Sequence, residues 1–178
     1  MAQLCHAPPL ELAIKSDLYS MTTYCQQMTC PFGTIHLYAS EQHLKALLFK
    51  PWAKVQTHEV INSSNPVLDI TMSQLEEYFL GTRQTFDIPL EPSGTEFQQK
   101  VWQTLQGIPF GETWNYGQLA EAIGNKNASR AVGAANGKNP ISIIVPCHRV
   151  IGANGTLTGY AGGLTAKEWL LKHEGRKG

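Results

Sequence analysis

The chain has 178 residues, 42% of them apolar and 16% charged, and its 14 Lys+Arg balance 14 Asp+Glu. That composition describes a soluble globular protein of one domain or two small ones, and no run approaches the ~20 apolar residues of a membrane-spanning helix. The start, MAQLCHAPPLELAIK, has no basic stretch followed by a continuous apolar one, so it reads as lacking a signal peptide and a reducing compartment is expected.

Residues 1–28 show little periodicity and read as a ragged, loosely docked start. Cys5, Cys25 and Cys30 with His6 or His36 are the conceivable zinc set. Their spacing is irregular and no C-x-x-C pair occurs, so they read as free or partly buried thiols, and no metal is expected. From Thr34 the pattern alternates, with Ile35, Leu37 and Ala39 on one face and Thr34, His36 and Tyr38 on the other. The polar turn Ser40-Glu41-Gln42-His43 then leads into Leu44–Phe49, the second strand of a hairpin. Over Pro66–Leu80 the residues Leu68, Leu75, Tyr78 and Phe79 recur at helical intervals, and Gly81 stops the helix. Thr85–Leu90 is a candidate strand. This is a small α/β unit without a visible catalytic constellation.

Ile88-Pro89-Leu90-Glu91-Pro92-Ser93-Gly94 has the composition of a linker, which divides the chain into domains at 1–92 and 93–178. The charge divides there too. The first part holds 5 Lys+Arg against 9 Asp+Glu, the second 9 against 5, so the C-terminal part is the one suited to an anionic partner. In it, Thr95-x-x-Gln98 is a capping box, followed by a buried stripe of Phe97, Val101, Trp102, Leu105 and Ile108. A helix fits Tyr116–Ile123, closed by Gly124, and a further one runs from near Ala128 to about Asn136. Two short helices joined by a turn containing glycine have the shape of a helix-turn-helix. A last helix is expected to start at the capping box Thr165-x-x-Glu168, carry Trp169, Leu170 and Leu171, and end before Gly175.

Cys147 stands apart from the other cysteines, within Val145-Pro146-Cys147-His148-Arg149-Val150. A free thiol is only a few per cent thiolate at neutral pH, so a nucleophilic cysteine needs a base or a cation beside it; His148 and Arg149 are the available partners. A Cys-His pair alone is more often a buried structural cysteine. Glu174 adds to the pattern: it closes a helix at the end where the macrodipole disfavours a carboxylate by roughly 0.3–1 kcal/mol. It reads either as the group orienting a His or as an exposed residue on a frayed end. Arg130 falls in the first turn of the second helix-turn-helix element, followed by the small residues Ala131, Val132, Gly133, Ala134 and Ala135. A slim helix can press close to a DNA groove, but small residues equally serve tight helix packing, which the pattern alone favours.

Pro146-Cys147-His148-Arg149-Val150 resembles the active-site signature of the O6-alkylguanine-DNA alkyltransferases. The resemblance extends over residues 95–175, through Tyr116-Gly-Gln-Leu-Ala, Arg130-Ala-Val-Gly, Asn139-Pro140, Gly159-Tyr160-Ala161-Gly162-Gly163-Leu164 and Lys167-Glu-Trp-Leu-Leu-Lys-His-Glu-Gly175. It implies an α/β protein, with a ribonuclease-H-like N-terminal domain and a mostly helical, DNA-binding C-terminal domain. The implied reaction moves an alkyl group from O6-alkylguanine, with O4-alkylthymine a further possible donor, irreversibly onto Cys147, once per molecule and without a cofactor.

By resemblance, His148 deprotonates Cys147 through a water, Glu174 orients His148, Asn139 braces the loop, and Tyr116 donates to the departing guanine. Main-chain groups at Cys147, Val150 and Ala161 read the base, and Tyr160 belongs to the loop that closes the pocket. Ser129, Arg130, Ala131, Gly133 and Ala134 face duplex DNA in the minor groove, with Arg130 filling the place of the extruded nucleotide. Ala161 stands where many members have Ser, and Ser142 where some have a second proline, which bears on the adducts accepted. The implied partner is double-stranded DNA carrying the lesion, bound by a monomer, with cooperative assembly on DNA left open. A cytoplasmic location is expected, bacterial rather than nuclear, since no Lys/Arg-rich targeting run occurs. Recognition-only relatives typically carry Trp at the nucleophile position. Residues 1–28 are too short for the extra domain of the family's transcription-coupled branch, and a Cys-His-Glu thiol hydrolase would leave Arg130 and the helix-turn-helix unexplained.

Overall fold

The computed structural model describes residues 22–53 and 60–175. Strands β1 (Thr23–Cys30), β2 (Gly33–Ala39), β3 (Leu44–Leu48) and β4 (Val60–Ile61) form one sheet in the order β3-β2-β1-β4. The β1-β2 and β2-β3 pairs are antiparallel, and β4 adds parallel to β1. Ile35, Leu37 and Ala39 are fully buried, as their alternation predicts, on the face covered by helix α1 (Pro66–Phe79). Asn65 fixes that helix twice. Its side chain caps Leu68 N at 2.9 Å and donates to Ser40 O at 2.8 Å, tying the helix start to the β2-β3 turn.

Two expectations fail here. The ragged start does not extend to residue 28, because Thr23–Cys30 is β1, paired along its length with β2. Gln26 and Gln27 break the apolar alternation that would mark it, and its pairing to β2 supplies the strand character instead. Residues 1–21 of that start, with Cys5 and His6, lie outside the described residues. Nor is Thr85–Leu90 a strand: only Leu90 pairs, in a single bridge to Leu44. The buried side chain of Gln74 replaces a ladder there, accepting from Asp87 N at 2.9 Å and donating to Asp87 O at 3.0 Å.

Beyond the linker come α2 (Glu96–Leu105), β5 (Trp114–Asn115), α3 (Tyr116–Ala122), α4 (Ser129–Asn136), β6 (Val150–Ile151) and α5 (Gly163–His173). The Thr95/Gln98 capping box forms as predicted. The buried stripe of α2 begins one turn later than expected, at Val101, and Phe97 is exposed. The Thr165/Glu168 box does not form. Gly162 and Gly163 turn the chain into α5 three residues earlier, and Gly162 packs so closely on Phe49 that a Cβ would lie 2.9 Å from its ring.

One buried cluster runs through both halves, joining Ile35, Leu68 and Leu75 to Trp102, Val132 and Leu170. Strand β3 also binds the second half directly. Leu47 N donates to Pro140 O at 2.9 Å, and Ser142 N donates to Leu47 O at 3.1 Å. The sheet thereby fixes the backbone from which the Cys147 loop departs. No described helix is long and apolar enough to cross a membrane.

Candidate active site

Cys147 opens a single 3-10 turn, Cys147–Arg149, that runs directly into β6. β6 pairs in parallel with β5, with Trp114 opposite Val150 and Asn115 opposite Ile151. Asn115 is in turn the N-cap of α3, so the two-residue ladder sets Tyr116, the first residue of that helix, beside the Cys147 turn.

The loop before Cys147 is shaped by Asn139. Its amide donates to Val145 O at 2.8 Å and accepts from Ile141 N at 3.0 Å, closing a tight bend. Within the bend, Ile143 has φ of 72°, a costly left-handed conformation for a β-branched residue, held in a fully buried segment. Asn136, from α4, donates to Cys147 O at 3.4 Å.

Glu174 is the hub of the site, and it is buried rather than frayed. Its Oε1 receives His148 Nε2 at 2.8 Å, Arg149 Nη2 at 2.9 Å and the Tyr78 hydroxyl at 2.7 Å. Its Oε2 receives Arg149 Nε at 2.8 Å and Gly111 N at 3.4 Å. Burial alone would push this carboxyl up, but the hydrogen bonds and charges of His148 and Arg149 prevail and hold it well below the usual range. A carboxylate can only accept, so the His148 nitrogen facing it carries the hydrogen. Burial lowers the imidazole's affinity for a second proton, against the pull of Glu174. His148 therefore rests neutral with its lone pair on Nδ1, a buried atom without a hydrogen-bond partner among the described residues.

The Cys147 thiol is pushed up by burial, while the Asn139 amide, the Lys167 charge and Ser142 pull the other way. Arg149, expected from sequence to serve the thiol, does not. Its guanidinium is committed to Glu174 and to Ile108 O at 2.6 Å. The cation that acts on the thiol is Lys167, fully buried in α5, whose Nζ donates to Val150 O at 2.6 Å and Thr158 O at 3.0 Å.

A cleft of about 470 Å³ lies between α4 and the loop before α5, lined by Tyr116, Gly133, Gly137 and Thr158–Ala161. The Tyr116 hydroxyl meets Thr158 Oγ1 at 2.7 Å. Tyr160 packs edge-on to His148, ring centroids 6.3 Å apart, and its phenol is held protonated chiefly by burial. Ala161 is exposed in this lining, whereas Cys147 and Val150 are buried and do not line it; Val150 already bonds Cys147 O through its N–H. On α4, Arg130, Ala131 and Ala134 are exposed, Ser129 and Gly133 are half-buried, and Val132, Ala135 and Asn136 pack inward. The small residues of α4 thus divide between packing inward and facing solvent.

Tyr78 and Lys167 are the residues that sequence reasoning passed over. The Lys167 signal was legible: a charge at the head of the buried stripe Ala166, Lys167, Leu170, Leu171. Tyr78 carried none, because its helical spacing marks only a core position and its partner lies 96 residues away. Cys25 and Cys30 are buried free thiols, and among the described residues no cluster of His, Cys, Asp or Glu could hold a metal ion.

Two family profiles match the chain: "6-O-methylguanine DNA methyltransferase, ribonuclease-like domain" over residues 23–92, and "6-O-methylguanine DNA methyltransferase, DNA binding domain" over residues 96–176. A methylated-DNA–protein-cysteine methyltransferase of Methanosarcina acetivorans is 53% identical over 146 residues, covering 82% of this chain and 94% of its own. One from Shigella flexneri is 45% identical over 163 residues, with 84% and 94% covered. Among solved structures, the Mycobacterium tuberculosis O6-methylguanine methyltransferase superposes with a TM-score of 0.78 at 43% identity, covering 86% of this chain and 93% of its own. The Mycobacterium tuberculosis OGT in complex with DNA gives 0.77 at 43% identity, with 85% and 92% covered.

Proposed function

The chain belongs to the O6-methylguanine DNA methyltransferase family, and from that premise we propose that Cys147 is the residue that takes the alkyl group. The activity is DNA repair by transfer of an alkyl group from methylated DNA to a protein cysteine. The observation that carries the assignment of residues is the Cys147–Arg149 turn clamped by Glu174, which leaves a neutral His148, next in sequence to a buried thiol, with a buried Nδ1 that has no hydrogen-bond partner among the described residues.

In the proposed step, His148 Nδ1 receives the Cys147 proton through a water, and Glu174 balances the imidazolium. The thiolate electron pair attacks the alkyl carbon on O6, the carbon–O6 bond breaks, and its electrons stay on guanine. Tyr116 donates a proton or a hydrogen bond to the departing base. Asn139 braces the loop throughout. Thiolate and DNA supply both halves of the new bond, so the step balances without a cofactor. The product thioether is inert, which makes each molecule single-use. O4-alkylthymine presents the same electrophilic carbon and is a second donor in this reading.

The DNA interface we infer is the exposed side of α4, laid in the minor groove through Ser129, Arg130, Ala131, Gly133 and Ala134. What supports it is that one short helix carries both this slim exposed face and Gly133 of the cleft wall. A base in the stack is beyond reach of a thiol, so the nucleotide must rotate out, at a cost of about a few kcal/mol that a guanidinium in the gap partly offsets. Arg130→Ala should therefore slow repair of duplex DNA by about tenfold or more, or ~1.4 kcal/mol, while reaction with free O6-alkylguanine base is unchanged. Equal losses on both substrates would remove the gap-filling role. The rest of the reading is a cytoplasmic monomer with its catalytic, DNA-binding part at 93–178, in which Tyr160 and Ala161, both in the cleft lining, frame the base.

The test of the whole is intact mass and peptide mapping after incubation with duplex DNA containing one O6-methylguanine. One methyl group per molecule on Cys147, with no further turnover, is the expected result. Lesion binding with no mass gain would make the protein a recognition factor.

A further inference from the structure

Glu174 Oε1 has three donors, and one of them comes from the other half of the chain. Tyr78 lies in the last turn of α1, fully buried, with its hydroxyl 2.7 Å from that oxygen. The residue is held firmly. Its ring packs at 5.1–6.2 Å against His173, Phe86, Phe79 and Phe110, and its carbonyl oxygen receives His173 Nε2 at 2.6 Å. The C-terminal ends of α1 and α5 are thereby docked together at the carboxylate that holds His148.

We propose that Tyr78 is a positioning residue of the Cys147 relay: its hydroxyl donates to the same Glu174 oxygen that holds His148, and so limits how tightly that carboxylate grips the imidazole. The inference rests on the Cys147–His148–Glu174 assignment above. Its physical basis is that the donors on one carboxylate oxygen share its charge, and each one removed leaves more for the others. Arg149 is fixed on both oxygens and on Ile108 O, so it cannot compensate by moving. The groups facing His148 are Glu174, Arg149, Lys167 and the edge-on Tyr160 ring; of these only Glu174 favours the imidazolium, and Tyr78 touches Glu174 directly. Burial and the adjacent carboxylate keep the Tyr78 phenol protonated, so it acts as a permanent donor. The sheet half of the molecule thus supplies a polar group to the site as well as a scaffold.

Tyr78→Phe removes the donor and keeps the ring. Glu174 then holds the His148 proton more tightly, so His148 becomes neutral only at higher pH. The measurement is the single-turnover rate of methyl transfer from duplex O6-methylguanine against pH, with the His148 ring titrated by NMR in the same full-length protein. Both the acid limb of the rate and the His148 midpoint are expected to rise together by about half to one pH unit, the equivalent of ~0.7–1.4 kcal/mol. The rates should converge with those of the unaltered protein at the alkaline end. An unmoved His148 midpoint, or a rate loss equal at every pH, overturns the proposal and leaves Tyr78 a packing residue. If Tyr78→Phe does not fold, fluorotyrosine at position 78, a stronger donor of nearly the same shape, decides the matter. It should move both quantities downward, and no movement overturns the proposal. Failure of the underlying assignment looks different: the methyl group would map away from Cys147 in the unaltered protein, whatever His148 does.

Discussion

Cys147→Ala is expected to abolish methyl transfer, by roughly five orders of magnitude or more, the scale seen when an enzyme loses its nucleophile, while lesion binding and the fold survive. Survival follows from how the residue is held. The hydrogen bonds that shape its turn are made by its main-chain atoms: Cys147 N to Val145 O at 2.8 Å, and Asn136 and the Val150 N–H to Cys147 O. Alanine keeps every one of these and forfeits the burial of one sulfur, about 1 kcal/mol, with the thiol's contacts to Asn139 and Ser142. Substitute acceptors are poor. Cys25 and Cys30 are buried in the N-terminal sheet, where burial pushes their thiols up. The check is mass analysis beside DNA-binding and thermal-unfolding measurements on the same preparation. Methylation at another residue, or an unfolded variant, would sink the assignment of Cys147.

How much of this was legible depends on the range over which each signal acts. The Thr95/Gln98 capping box, the stop of α1 at Gly81 and the alternation of Ile35, Leu37 and Ala39 are local, and all three appear in the structure. β1 was invisible because Gln26 and Gln27 interrupt its alternation, and its strand state is imposed by a neighbour. Thr85–Leu90 misled in the opposite direction: its composition suits a strand, but a glutamine side chain from α1 satisfies the backbone that a ladder would have used. Within the site, Cys147 and His148 are adjacent in sequence, and Glu174 betrayed itself by its unfavourable place at a helix end. Arg149 was read one step wrong because adjacency says nothing about direction; its guanidinium turns to the carboxylate 25 residues on. Tyr78 was beyond reach of any local pattern, since only the docking of α1 on α5 gives its hydroxyl a partner.

Glu174→Gln should produce the second large effect, on stability and on chemistry together. The neutral amide offers one acceptor oxygen where the carboxylate receives five contacts, and in either orientation its NH2 faces an Arg149 N–H that can only donate. Arg149, itself buried, is left without its counter-charge, and breaking a buried pair in this way costs about 3–5 kcal/mol. Urea unfolding near neutral pH should register that loss. The loss should shrink in acid, and its sign is fixed by the direction of the shift. Glu174 in the folded protein ionises well below the ordinary glutamate value of 4.5, so its contribution is complete above that value and fades as pH falls through and below it. The difference between the two proteins should therefore begin to narrow below about pH 4 and keep narrowing until the pH falls past the much lower value at which folded Glu174 takes up its proton, and a constant difference across that range would mean that Glu174 is not the linked group. Chemistry suffers because the imidazolium formed when Cys147 ionises loses its support; a decline of roughly 10²–10⁴-fold in transfer rate is the scale of a lost acid–base partner. The same variant should lower the pH at which His148 titrates, whereas Tyr78→Phe should raise it. Opposite displacements from two substitutions on one carboxylate oxygen would separate a tuned relay from a site that is merely loosened, because loosening has no reason to change sign.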